Sequence, residues 1–378
     1  MPLMQPSPSG ESTLKPCCAP GTARPLLALL ATPRQAPVMR IPSLAALALG
    51  LAALGLAGCG ERQSAAPAGR AASTARLRLA VIPKGANQVF WKSVHAGAVK
   101  AAAELGVEVL WKGPLKEDDR ESQIRVVEDF ITRGVDGIVL APLDDVALRP
   151  AVNEAARARR PVVIMDSPLS GTNYVSFVAT DNEEGGRRAA RHLAALLNGA
   201  GRVLVFRFLE GSASTEQRVA GFLDELRKTP GLEVVSASQR SGATAEVAYQ
   251  NAEHLLAPYK AGGTLRVDGI FCPNEFTTFA MLRALQDGGL AGKVKFVGFD
   301  SSEMLVAALR KGALHGLVLQ DPIQMGYLAV KTLVAHLRGE PVPARIDTGS
   351  TVATPANMDD PAIRALLEPD YRRWLGEE

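Results

Sequence analysis

The stretch "LRLAVIPKGANQVFWKSVHAGAVKAAAEL", residues 77–105, decides how the rest of the chain is read. The apolar run Leu77–Ile82 stops at Pro83, which cannot donate to a sheet ladder, and from Phe90 onward Val94, Ala98, Ala101, Ala102 and Leu105 fall on one helical face. A strand, a turn and a helix form the unit. It recurs as "VEVLW" with Ser122–Ile131, "GIVLA" with Leu148–Ala158, and "PVVIMD" ending at Asp166. A second group follows: "RVLVFRF" with Glu216–Leu226, "LEVVSAS" with Glu246–Leu256, "GIFCPN" with Thr277–Leu285, and "VKFVGFD" with Met304–Leu309. Such alternation predicts an α/β protein with parallel sheets and right-handed crossovers. The two groups predict two similar doubly wound lobes.

Composition agrees with that size. At 378 residues, 47% hydrophobic and 21% charged, the chain is long enough for two cores. The formal charge of +3 comes from the N-terminus, where residues 1–58 hold Lys15, Arg24, Arg34 and Arg40 against Glu11. Setting these aside from the 42 basic and 39 acidic residues leaves 38 of each. A balanced body carries no electrostatic footprint for nucleic acid.

Residues 1–38 are Pro-rich and aperiodic and read as a mis-start extension upstream of Met39. Met39-Arg40 and the uncharged "IPSLAALALGLAALGLAG" then read as a secretory signal over 39–58; a transmembrane anchor is the alternative, disfavoured by the Ala and Gly content. Leu56-Ala57-Gly58-Cys59 resembles the lipobox of bacterial lipoproteins, which implies cleavage before Cys59 and a lipid on its sulfur. Residues 59–76, rich in Ala, Ser, Gly and Pro, read as a flexible tether. Cys59 and Cys272 are the cysteines of the exported form, too few for a disulfide framework, and neither CxxC nor HExxH occurs. His95, His192, His254, His315 and His336 lack metal-ligand spacing, so no metal or cofactor is expected.

In open α/β sheets ligands bind outside the carboxyl ends of the strands, where loops converge and helix N-termini offer free N–H groups. This sequence places Asn87, Gln88, Phe90 and Trp91 there after the first strand, Asp166 after "VVIM", Asn274 and Glu275 after "IFCP", Asp300 after "FVGF" and Gln320 after "LVL". Amides, carboxylates and aromatics suit a neutral polyhydroxylated ligand: hydroxyls donate and accept, and C–H faces pack on flat rings. Phe90 and Trp91 are read as the sandwiching faces. A core reading of the two aromatics stays open, as does a capping reading of Asp166, Asp300 and Asn274 and a hinge role for Gln320.

From about Leu77 to Thr354 the body resembles the ribose-binding type of periplasmic sugar-binding proteins, soluble components of ABC importers. Gln88-Val89-Phe90-Trp91 stands where that family has Asn-Pro-Phe-Phe, and Asp166-Ser167 where it has Asp-Arg. "VATDN" at 178–182 is similar to the crossing between domains; Asn274, Asp300 in "VGFD", and Gln320 in "LVLQDPIQMG" match binding positions. In "SASTEQRVAGF" the ligand-facing arginine falls on Glu216, while Arg218 takes the structural position. Two lost cations and a gained carboxylate argue against an anionic ligand.

The resemblance implies a type I periplasmic binding protein, not an enzyme, that closes on a ribose-like pentose, a hexose or a polyol and delivers it to a permease. A sugar-sensing lipoprotein is the alternative role. The expected lobes are 77–180 with 321–348 and 181–320 with 349–378. The expected site is Gln88, Phe90, Trp91, Asp166, Asn274, Asp300, Gln320 and, least firmly, Glu216. The expected protein is a monomer on the envelope exterior, held to a membrane through Cys59. No GxGxxG, P-loop or GxSxG supports an enzyme, and a lipobox stands where a repressor would carry its DNA-reading helices.

Overall fold

The computed structural model describes residues 76–376 apart from residue 87. The signal, lipobox, Cys59 and most of the tether therefore lie outside the described residues, as does Asn87. Among the described residues no helix is long and apolar enough to cross a membrane.

The first lobe begins β1 (Arg78–Ile82), α1 (Val89–Leu105), β2 (Glu108–Trp111), α2 (Arg120–Thr132), β3 (Gly137–Leu140), α3 (Arg149–Arg157), β4 (Val162–Met165) and β5 (Ser176–Ala179). The chain then enters a second lobe through α4 (Asn182–Leu196), β6 (Gly201–Val205), α5 (Ala213–Leu226), β7 (Leu232–Ser236) and α6 (Ala245–Leu256). A short hairpin of β8 (Lys260–Ala261) and β9 (Thr264–Leu265) precedes β10 (Gly269–Phe271), α7 (Glu275–Asp287), β11 (Lys295–Phe299), α8 (Glu303–Arg310) and β12 (Gly316–Leu319). It returns to the first lobe as α9 (Pro322–Leu337) and β13 (Arg345–Asp347), then to the second as β14 (Thr351–Ala353), α10 (Pro361–Leu367) and α11 (Arg372–Leu375).

Each lobe holds a six-stranded sheet, ordered β13-β5-β4-β3-β1-β2 in the first and β14-β12-β11-β10-β6-β7 in the second. The pairings are parallel except β12 with β14, which is antiparallel. Helices cover both faces, so β3, β4 and β12 are buried along their whole length. That is why those strands read as continuous apolar runs rather than alternating ones.

The lobes repeat one another in how their helices pack. In the first, α1 crosses α9 through Gly97 and Gly326; a Cβ on Gly97 would lie 1.9 Å from the Ile323 carbonyl oxygen. In the second, α4 crosses α5 through Gly186 and Gly221, and a Cβ on Gly186 would lie 1.9 Å from the Arg218 carbonyl oxygen. No side chain fits between such backbones, so glycine is required for the close approach.

Where the chain passes between sheets it is tied by side chains. The Asp181 N–H donates to Asp347 Oδ1 (3.0 Å), Arg345 Nη2 donates to the Thr180 carbonyl (3.1 Å), and the Thr180 and Thr348 hydroxyls lie 3.2 Å apart. Asp181 and Asp321 cap the helices that leave the first two crossings, accepting from the Glu184 and Gln324 N–H groups. The C-terminal segment departs from the sequence expectation. α10 follows it, with Leu367 in the second lobe's core, whereas α11 packs on α1 of the first lobe and Lys92 stands 5.7 Å over the Tyr371 ring.

Candidate functional site

The carboxyl ends of both sheets face one cleft, which encloses about 400 Å³ counting its mouth. Gln88, Phe90, Trp91, Asp166, Asn274, Asp300 and Gln320 all line it. Asp166 follows β4 and Asp300 follows β11, matching places in the two lobes, and both have left-handed backbones, with φ of 62° and 65°. Asp tolerates that region better than most residues, yet the conformation costs energy and persists where surroundings enforce it. In each case the turn aims a carboxylate back across the strand ends.

A continuous polar line crosses the cleft floor. Lys84, next after Pro83 at the end of β1 and 3% exposed, places its Nζ 2.6 Å from Asp166 Oδ2 and donates to the Ser167 and Ser214 hydroxyls at 2.5 and 3.1 Å. Asn182 donates from Nδ2 to the Asp166 carbonyl (3.3 Å) and accepts from Arg218 Nε (2.8 Å). Arg218 continues to Asp300, Nη1 to Oδ2 at 3.7 Å, while Nη1 also donates to the Pro273 carbonyl and the guanidinium stacks 4.0 Å over Phe299. Gln320 Nε2 closes the line on Asp300 Oδ1 at 2.7 Å. Burial lowers the Arg218 pKa and raises that of Asp300, each opposed by attraction to the other.

The helices that carry these groups are locally determined. Asn274 caps α7 in a capping box with Thr277, so its capping reading holds and it lines the cleft as well. Behind Lys84, the buried amide of Gln123 donates to the Pro83 and Ala141 carbonyls at 2.9 and 2.8 Å, and accepts from the Leu143 N–H. One side chain thus fixes the ends of β1 and β3.

Phe90 and Trp91 meet edge-on, with centroids 5.0 Å apart and planes at 89°, so they do not form two parallel plates around one ring. The facing lobe brings a second edge-on pair, Phe208 and Phe276, into the same cleft. Trp91 Nε1 donates to Glu117 Oε1 at 2.6 Å, which brings a loop carboxylate over the site. Lys84, Glu117, Asn182, Phe208, Ser212, Ser214, Glu275 and Phe276 were not among the expected site residues. Glu275 was the most visible of them, since it stands in the strand-end inventory beside Asn274.

Glu216 lies outside this cleft. Its carboxylate is held by Arg207 and by Arg240, the latter at 2.6 Å, on the far side of α5. Helical phase explains the correction, because Ser214 and Arg218 turn inward and position 216 lies about 200° from each. Positions 167 and 216 lack the family's arginines, as read from the sequence, yet the cleft holds two cations from elsewhere: Lys84 beside Asp166, and Arg218. Both cations are matched by carboxylates. Glu117 and Glu275 line the cleft beyond these two pairs, so no cation is left over to attract an anionic ligand.

Comparison with known proteins bears on the family and the fold. A family model described as periplasmic binding protein domain matches residues 79–341. A D-ribose/D-allose-binding protein of Pseudomonas aeruginosa is 27% identical over 271 residues, covering 70% of this chain and 83% of that protein. A carbohydrate transporter solute-binding protein of Agrobacterium radiobacter, solved with D-arabinose, superposes with a TM-score of 0.74 at 36% identity, covering 78% of this chain and all of that one. One from Agrobacterium vitis, solved with D-fucose, gives 0.73 and 36%, covering 77% of this chain and 99% of that one.

Proposed function

The chain belongs to the periplasmic binding protein domain family as a type I periplasmic sugar-binding protein, and from that premise we propose that it is the exported, lipid-anchored binding component of an ABC importer. Its cargo is a neutral monosaccharide, a ribose-like pentose, a hexose or a polyol, which it carries to a membrane permease. The observation that carries this reading is the pair of left-handed aspartates, Asp166 and Asp300, presented by opposite lobes to one cleft between two aromatic pairs.

The first lobe, 77–180 with 321–348, and the second, 181–320 with 349–367, rotate about the three crossings, with the final helix α11 resting on α1 of the first lobe. A ligand bridging both lobes favours the closed form because only that form offers all its contacts at once. The ligand's hydroxyls pair with Gln88, Asp166, Asn274, Asp300 and Gln320, and its C–H faces lie against Phe90 and Trp91 from one lobe and Phe208 and Phe276 from the other. Gln320 Oε1 and Ser212 Oγ are buried without a partner, as acceptors and donors kept for a ligand would be.

A thermal-shift panel of D-ribose, D-allose, D-arabinose, D-fucose and simple polyols tests the ligand class. The matching sugar at about one hundred times its Kd adds about 2.7 kcal/mol, or roughly 4 °C for a body of this size. The same sugar should reduce the radius of gyration in small-angle scattering. Absence of any shift across the panel would overturn the sugar reading, and binding at constant radius would overturn closure.

The anchor rests on Leu56-Ala57-Gly58-Cys59. Cys59→Ser is expected to release the protein from membranes on cell fractionation. A variant that stays membrane-bound would remove Cys59 from the account.

A further inference from the structure

The cleft's two cations are already engaged, Lys84 with Asp166 at 2.6 Å and Arg218 with Asp300 at 3.7 Å. Two further carboxyls, Glu117 from the first lobe and Glu275 from the second, line the same cleft without a cation of their own. Glu117 accepts from Trp91. Glu275 is the first residue of α7; its Oε2 is buried with no hydrogen-bond partner, and the Phe90 backbone amide of the other lobe only weakly favours its charged form. A buried ionised oxygen without a partner, facing Asp300 and Glu117, is untenable; a proton on that oxygen removes the conflict.

We propose that Glu275 contacts the ligand and enters the closed cleft as the neutral acid, its carboxyl donating to an oxygen of a hydroxylated ligand, so that closure takes up one proton. The inference rests on the sugar reading and deepens it. Asp166, Asp300 and Glu117 each already accept from a protein donor, Lys84, Gln320 and Trp91 respectively. Although burial raises the Glu117 carboxyl too, Lys84 and the Trp91 N–H oppose it. An oxygen that offers lone pairs alone, such as a ring ether, needs a donor, and Glu275 supplies one beside the amides. Burial first, then Asp300 and Glu117, push the Glu275 carboxyl from 4.5 to about 8, against the Phe90 N–H. Lys84, Asp166 and Arg218 share the cleft but face partners of their own.

The sign follows from linkage. Opening separates Glu275 from Phe90 and Glu117 and lets water in, so the open form releases the proton that the closed form keeps. Closure is therefore favoured at low pH and weakens as pH rises from about 4.5 to about 8. Affinity should fall roughly tenfold per pH unit across that window.

The test is calorimetry on the mature protein with whichever of D-ribose, D-allose, D-arabinose or D-fucose binds, between pH 5.5 and 8.5, in two buffers of different ionisation enthalpy. The wild type is expected to take up about one proton per sugar near pH 6.5. Glu275→Gln is expected to bind with no uptake and with affinity flat across the range, while Glu117→Gln keeps the uptake. Binding without uptake in the wild type, or uptake that vanishes only in Glu117→Gln, overturns the proposal. So does an amino sugar that binds more tightly with no uptake, since its cation would then stand where the proton is assigned. If no sugar binds, it is the sugar reading that fails, and scattering on the ligand-free protein decides the proton. Compaction from pH 8.5 to 5.5 that is absent in Glu275→Gln upholds it, and a pH-independent radius in the wild type overturns it.

Discussion

Lys84→Met is expected to weaken sugar binding by on the order of one hundredfold to one thousandfold while costing the ligand-free fold far less. Lys84 is buried, 2.6 Å from Asp166, and it reaches the Ser214 hydroxyl of the opposite lobe. Removing one partner of a buried ion pair leaves the other uncompensated, at a cost of about 3–5 kcal/mol. Where that cost appears depends on water. On the proposed hinge mechanism the lobes separate without ligand and Asp166 is rehydrated, so unfolding measurements should record only a fraction of the loss. Binding requires the closed cleft, so calorimetry should record nearly all of it. The double variant Lys84→Met/Asp166→Asn should recover part of the affinity, because the orphaned charge is gone. Normal affinity in Lys84→Met would mean that the pair is scaffold.

That lysine also shows where the sequence stopped being informative. Parallel-sheet strands buried on both faces announce themselves as apolar runs, and Asp166, Asn274, Asp300 and Gln320 were legible because each closes such a run. Lys84 closes one as well, yet a lysine after a proline at a strand end looks like any solvated turn; only its burial against Asp166 distinguishes it. Glu117 sits in "KGPLKEDDR", a charged loop with no periodicity, and nothing local indicates that Trp91 will reach it. Phe208 and Phe276 lie in segments far apart in sequence that only the fold brings together. The motif position places Glu216 in the site, whereas its other sequence reading, a helix-start carboxylate outside the site, is the one the helical phase fits. The inward identity of Arg218 follows from the same phase, so that error and that omission have one cause.

The late strands and helices were less legible for a different reason. β5 ends directly in the crossing at 180–181, and β13 and β14 are three-residue strands. A strand of that length has too few residues to display a period, and its pairing is fixed by the sheet edge it meets rather than by its own composition. α10 and α11 likewise take their places from neighbours, the second lobe's core and α1 respectively.

Trp91→Ala is expected to destabilise the ligand-free protein by about 3–4 kcal/mol and to abolish tight binding with it. The core reading of Trp91 holds, and the same side chain lines the cleft, where its proposed role against a sugar face is the one to be measured. It lines the cleft, yet it is 2% exposed and packs in a cluster with Val94, Ala98 and Met325. Truncation of so large a core ring leaves a cavity that typically costs about 3–5 kcal/mol, and partial wetting of the ring in the open state sets the lower part of that range. Trp91→Phe separates the contributions. It keeps a flat apolar ring but removes the N–H that Glu117 accepts at 2.6 Å, so its stability loss should be about 1–2 kcal/mol, with affinity reduced roughly tenfold as Glu117 loses its partner inside the closed cleft. Urea unfolding without ligand and calorimetry with the matching sugar measure the two terms for each variant. If Trp91→Ala unfolds like the wild type and only binding falls, the indole stands wet in the open cleft and its packing against Val94 and Met325 exists only on closure. The residue would then be part of the closing motion itself, and the cluster around it would mark where the first lobe changes shape.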